Sequence, residues 1–95
     1  MEVKIRYLTD EIAKSFGANQ KVEVVQLPDG AKFNDLLDLF RRKYEQNNPK
    51  SGHKIEDDIL GMFIFICEGK NLRRVKNELI NPEKEVLVGF ADTGG

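Results

Sequence analysis

Residues 21–46 run Lys21-Val22-Glu23-Val24-Val25-Gln26-Leu27-Pro28-Asp29-Gly30-Ala31-Lys32-Phe33-Asn34-Asp35-Leu36-Leu37-Asp38-Leu39-Phe40-Arg41-Arg42-Lys43-Tyr44-Glu45-Gln46, and their local chemistry changes twice. Residues 21–27 are rich in valine, whose branched side chain suits a pleated surface, so they predict a strand. Pro28-Asp29-Gly30 follows with the residues of a tight turn. Beyond it Leu36, Leu37, Phe40 and Tyr44 recur at i, i+1, i+4 and i+8, while Asp38, Arg41, Arg42 and Glu45 take the other side. That spacing predicts an amphipathic helix over 34–46. Asn34 is the expected cap, Asp35 places a carboxylate at the positive end of the helix dipole, and Arg41, Arg42 and Lys43 lie toward the negative end.

Toward the N-terminus, Val3, Ile5 and Tyr7 alternate with Lys4, Arg6 and Leu8, which predicts a strand over 3–8 with one face on a core. It is the expected hairpin partner of 21–27. Residues 9–17 change to helical spacing at Ile12, Ala13 and Phe16, with Thr9 or Asp10 to cap and Gly17 to stop the turn, so a short helix or a loop is expected. On the other side of the helix, residues 46–58 are polar and rich in breakers, the composition of a surface loop. Residues 62–67 are apolar on both faces and predict a strand buried on both sides or in mid-sheet. A turn is expected at Gly69, a short strand at 72–75, a helical turn at 77–81, a turn at Asn81-Pro82-Glu83-Lys84 and a last strand at 85–90. Strand, strand, helix, strand, short strand, strand is the order of an α+β roll, in which one long helix covers one mixed sheet of about four to five strands.

Composition narrows the function. The 95 residues suffice for one core, and 40% hydrophobic against 33% charged is too apolar for a disordered chain. A single cysteine, Cys67, excludes an internal disulfide, a zinc site of several thiolates and an iron–sulfur cluster. Fifteen basic residues against sixteen acidic ones leave a net charge of −1, so no global field draws in nucleic acid. The longest nearly apolar run, 59–67, is far short of the roughly 18–20 residues of a membrane span. No secretion signal is read at the N-terminus, and a cytoplasmic chain is expected.

No internal active site is legible. His53 is the only histidine and lies in the polar loop, Cys67 ends an apolar strand as a buried thiol would, and Glu56-Asp57-Asp58 lack the spaced ligands of a calcium loop. No catalytic residue and no metal ligand is assigned. The two basic clusters, Arg41-Arg42-Lys43 and Arg73-Arg74 with Lys76, are expected as solvated surface. Phe63, Phe65 and Phe90 form a candidate aromatic platform on the sheet face opposite the helix, with Phe90 the fair docking residue among them. What has no place in the roll is the segment Ala91-Asp92-Thr93-Gly94-Gly95, so the chain divides into a domain, 1–90, and a flexible tail, 91–95. Two glycines together at a given place arise by chance in about one chain in 200. They also allow a chain to thread a narrow channel at backbone angles closed to other residues.

Context decides between these readings. Val3-Lys4-Ile5-Arg6-Tyr7, then Leu27-Pro28-Asp29-Gly30-Ala31 with Asp35-Leu36-Leu37, the Gly69 turn, Glu85-Val86 and Gly94-Gly95 together resemble the β-grasp sulfur carriers and ubiquitin-like modifiers. Relatives of that kind are the small subunit of molybdopterin synthase, the thiamin-pathway sulfur carrier, the small archaeal modifiers and the ubiquitin-related modifier. The chain departs from the molybdopterin-synthase type at Phe90-Ala91, where a proline pair would stiffen the tail, and in the length of 46–58.

The resemblance implies a β-grasp fold and a protein cosubstrate rather than an enzyme. A separate ubiquitin-activating-type enzyme, using ATP and magnesium, would adenylate the carboxylate of Gly95. The acyl-adenylate would then accept sulfur as a thiocarboxylate, or pass to a lysine amine as an isopeptide. Gly94 and Gly95 are thus the activated end, and Phe90, Ala91, Asp92 and Thr93 the expected docking segment. Expected partners are the adenylating enzyme and a sulfurtransferase or synthase large subunit, or target lysines, with no direct nucleic acid or membrane contact and a monomer when free. The alternative is a non-covalent module of ubiquitin-like shape whose glycines are incidental.

Overall fold

A computed structural model of the chain describes residues 1–49 and 61–91. His53, Glu56-Asp57-Asp58 and Asp92-Thr93-Gly94-Gly95 lie outside the described residues, as does most of the expected 46–58 loop. The elements are β1 (Glu2–Tyr7), α1 (Asp10–Ser15), β2 (Val22–Gln26), α2 (Phe33–Asn47), β3 (Phe63–Cys67), β4 (Lys70–Asn71) and β5 (Val86–Phe90). They form a five-stranded sheet in the order β2-β1-β5-β3-β4. β1 is antiparallel to β2 and parallel to β5, and β3 is antiparallel to both β5 and β4. The α+β expectation stands.

Alternation along the strands sorts the two sheet faces. Val3, Ile5, Tyr7, Val25, Phe63, Phe65, Val86 and Val88 are buried on the side where Leu36, Leu37 and Phe40 of α2 also close the core. Glu2, Lys4, Arg6 and Val24 stand on the opposite side, with Ile64, Ile66 and Leu87 half-buried there. β3 is therefore not buried on both faces; of the two expectations the other holds, since it lies inside the sheet between β5 and β4. β5 takes the central place, and β3 stands one strand from the edge.

Each helix shows how its ends are satisfied. Thr9 caps α1, its hydroxyl accepting from Ile12 N–H at 3.1 Å. Thr9→Ala is expected to lose about 1 kcal/mol, read by urea denaturation. β1 and β2 pair as expected, and the connection between them is the short helix α1. In α2 the cap is Lys32, not Asn34. The Lys32 N–H donates to the Asp35 carboxylate at 2.8 Å, while the Phe33 and Asn34 amides donate to the carbonyls of Glu78 and Lys76 at 3.1 and 2.9 Å. A distant stretch of backbone thus does the work of a capping side chain.

That stretch also departs from expectation. Residues 72–75 are not a strand: successive bonds from Arg74 to Asn71 and from Val75 to Leu72 wind them into turns, with Leu72 and Val75 buried at i, i+3. The two-residue strand is Lys70–Asn71, after a turn in which Glu68 and Gly69 both take positive φ. Residues 77–81 are not a helical turn, because Leu79 bridges Lys32 and Ile80 N–H donates to Ala31 O. The Asn81–Lys84 turn is present, closed by Lys84 N–H on Asn81 O at 3.1 Å.

Across the open face Arg6 Nε meets Glu85 Oε1 at 3.0 Å, with Lys4 Nζ at 3.9 Å from the other carboxylate oxygen. The Arg6 hydrogen bond is the main cause that holds the Glu85 carboxyl below the usual range, aided by the charges of Arg6 and Lys4. A depressed carboxyl contributes stability that is present above its unfolded-state pKa and is lost as pH falls through the folded one, here on the acid side of the ordinary glutamate range. In Arg6→Ala the Glu85 pKa is expected to rise, followed by NMR titration of its side-chain carboxyl carbon. An unmoved titration would contradict the pairing.

Candidate functional site at the root of the tail

β5 is the last described strand and ends at Phe90. Hydrogen-bonded on one side to β1 and on the other to β3, it is held along its length, with Val86 and Val88 fully buried. Its last residue, Phe90, is 50% exposed yet anchored, its ring stacked on that of Phe63 with centroids 5.7 Å apart. Ala91 N–H donates to Met62 O at 2.9 Å, the last backbone bond described before the tail. Beside this exit lies an open depression of about 460 Å³ formed by Tyr44, Met62, Phe63 and Phe90, with Glu11 and Ser15 as polar members. The Phe63 ring in turn rests on Tyr44 and Phe16, so the floor of the depression is the outer layer of the core.

This geometry corrects the aromatic platform. Phe63, Phe65 and Phe90 share the helix side of the sheet, not the opposite one: Phe63 and Phe65 are buried among Phe16 and Phe40, and Phe90 alone reaches the surface. Met62, 41% exposed, and Tyr44 were not read as neighbours of the tail root. Tyr44 is legible only as part of the helix stripe, and Met62 only as the start of an apolar run. Of the expected docking segment, Phe90 and Ala91 are placed at the exit.

Among the described residues no three His, Cys, Asp or Glu side chains gather as a metal would require. Cys67 is free and buried, and its thiol pKa is pushed up mainly by that burial and further by Glu68, while Lys84 pulls the other way. A raised thiol pKa disfavours the nucleophilic thiolate. Tyr7 OH donates to Glu23 at 2.8 Å, and Lys43 pairs with the same carboxylate at 3.1 Å. Burial, with the Glu23 bond and charge added, keeps the Tyr7 hydroxyl protonated well beyond the usual range.

The first basic cluster is largely engaged, Arg41 by Asp38 and Lys43 by Glu23. The second lines two shallow depressions of about 390 and 500 Å³ around Arg73, Arg74 and Lys76. The α2 amides nearby already donate to protein acceptors, so no backbone cradle for phosphate forms there. No described helix is long and apolar enough to cross a membrane.

Comparison with solved structures places this arrangement. The chain superposes on a structure from Pyrococcus furiosus provisionally described as molybdopterin converting factor, subunit 1, with a TM-score of 0.59. The two are 20% identical over 95% of this chain and 94% of that one. The fold is a β-grasp. At that identity the likeness carries the architecture alone. No family model matches the sequence, and no curated protein matches it.

Proposed function

We propose that this β-grasp chain is a sulfur carrier of the molybdopterin-synthase type, whose Gly95 carboxylate is activated by a separate adenylating enzyme and loaded with sulfur. The observation that carries the reading is the exit of the central strand: β5 is locked between two neighbours, and Phe90 and Ala91 deliver the following residues from a fixed point beside an apolar depression. Ala91-Asp92-Thr93-Gly94-Gly95 then presents glycines to a channel too narrow for side chains. The description of the solved Pyrococcus furiosus neighbour and the resemblance of Leu27–Ala31, Asp35–Leu37 and Gly94-Gly95 support the same reading.

In this scheme the chain supplies recognition and one reacting carbon. The carboxylate oxygen of Gly95 attacks the α-phosphorus of ATP on the partner enzyme, and pyrophosphate leaves. A sulfur nucleophile then displaces AMP from the acyl carbon, leaving a thiocarboxylate for a synthase large subunit to consume. An amine nucleophile at the same carbon would give an isopeptide, so the partner sets the product. Magnesium and the donors that stabilise the developing charge belong to that partner.

The experiment is pyrophosphate exchange. Purified chain is mixed with molybdopterin-synthase-type and ubiquitin-type activating enzymes, labelled pyrophosphate and ATP. Chain-dependent return of label to ATP supports activation. No exchange with any of them, from a chain shown to be folded and to end at Gly95, favours a non-covalent module instead.

A further inference from the structure

The two edges of the sheet are built differently. β4 ends one side with two residues, the first of them Lys70, a short and charged edge of the kind that discourages pairing. β2 ends the other side with five, Val22-Glu23-Val24-Val25-Gln26, and contains neither proline nor glycine. Its pairing with β1 sets which backbone groups face outward. Leu27 N–H donates to Met1 O and Tyr7 N–H to Lys21 O, so 21, 23, 25 and 27 turn their backbone groups toward β1. By the alternation of an antiparallel ladder, the N–H and C=O of Val22, Val24 and Gln26 point away from the sheet.

Among the described residues, side chains do not guard this edge. Val24 is 56% exposed, among the most exposed large apolar residues described, and Val22 is half-buried. The one acidic residue in the strand, Glu23, is turned to the helix side and held by Tyr7 and Lys43. The charge that would repel an incoming strand is thus withdrawn and neutralised.

We propose that the β2 edge is a self-association surface, on which a second copy adds its own β2 antiparallel about a twofold axis at Val24 and joins two sheets into one. The strand is complementary to itself in that register. Val24 faces Val24 of the second copy, Val22 faces Gln26, and Gln26 faces Val22, so each outward N–H meets an outward C=O. On the helix side Glu23 faces Val25 of the second copy, and no like charges stand directly opposite. The valine pair lies on the open face, where cross-strand apolar pairs add stability. β1 separates β2 from β5, so the exit at Phe90 stays clear. This departs from the monomer expected of the free chain.

Sedimentation equilibrium over a wide concentration range, with hydrogen exchange at its two ends, tests the surface. The wild-type mass is expected to rise toward twice that of one chain, with the Val22, Val24 and Gln26 amides gaining protection together. Val24→Pro removes an outward N–H that meets no backbone acceptor among the described residues, and Val24→Lys puts a charge on the axis. Either variant, shown folded by circular dichroism, is expected to weaken association at least tenfold. A wild-type chain monomeric at every concentration overturns the proposal. So does a dimer insensitive to the folded variants, which would lie on another surface, or protection of these amides only when a different protein is added.

Discussion

Phe16→Ala is expected to lose about 3–5 kcal/mol of folding stability, a large part of the roughly 5–15 kcal/mol that holds a domain together. Phe16 is fully buried just past α1, and its ring meets five others: Tyr7 from β1, Phe40 and Tyr44 from α2, and Phe63 and Phe65 from β3. The centroid separations run from 4.9 Å to Phe63 to 6.2 Å to Phe65. Truncation removes apolar burial and leaves a cavity that rigid rings from three elements cannot easily collapse into. Urea denaturation gives the loss directly. Phe90→Ala is the contrast: it is half exposed and, among the described residues, its ring stacks on Phe63 alone, so about 1 kcal/mol is expected. Comparable losses at the two positions would contradict the place given to Phe16.

The largest functional effect is expected at the other end of the chain. Deleting Gly95, or appending one residue after it, is expected to abolish adenylation while leaving the fold intact, with the thermal midpoint moved by less than about 1 °C. Activation requires the acyl carbon at one point relative to the α-phosphate, and a reacting atom displaced by a residue's length has lost its geometry. Gly94→Val is expected to act the same way by blocking passage of the tail. A truncated chain that still supports pyrophosphate exchange would sink the assignment of Gly95.

The pattern in residues 21–46 made the strand, turn and helix legible, because valine clustering and a helical stripe are local signals. β1, β3 and β5 were legible for the same reason. Misreadings arose where distant backbone decides. Asn34 looks like a cap, but the carbonyls of Lys76 and Glu78 satisfy the α2 amides, and no local rule shows a segment more than 40 residues away. Leu72 and Val75 mark a buried turn at i, i+3, which four residues cannot distinguish from a strand. Phe63, Phe65 and Phe90 share a face by register, yet which face carries the helix depends on the whole sheet. At the site, Phe90 was legible as the residue before the tail. Met62 and Tyr44 reach it only through the fold.

Intact-protein mass spectrometry of the chain purified from its native cells tests sulfur loading most directly. Replacement of one C-terminal carboxylate oxygen by sulfur adds about 16 Da, and the account predicts that gain in the wild type, its removal by alkylation and hydrolysis, and its absence from a chain lacking Gly95. A wild-type chain whose Gly95 stays a plain carboxylate in those cells, under conditions where sulfur transfer is active, would contradict it.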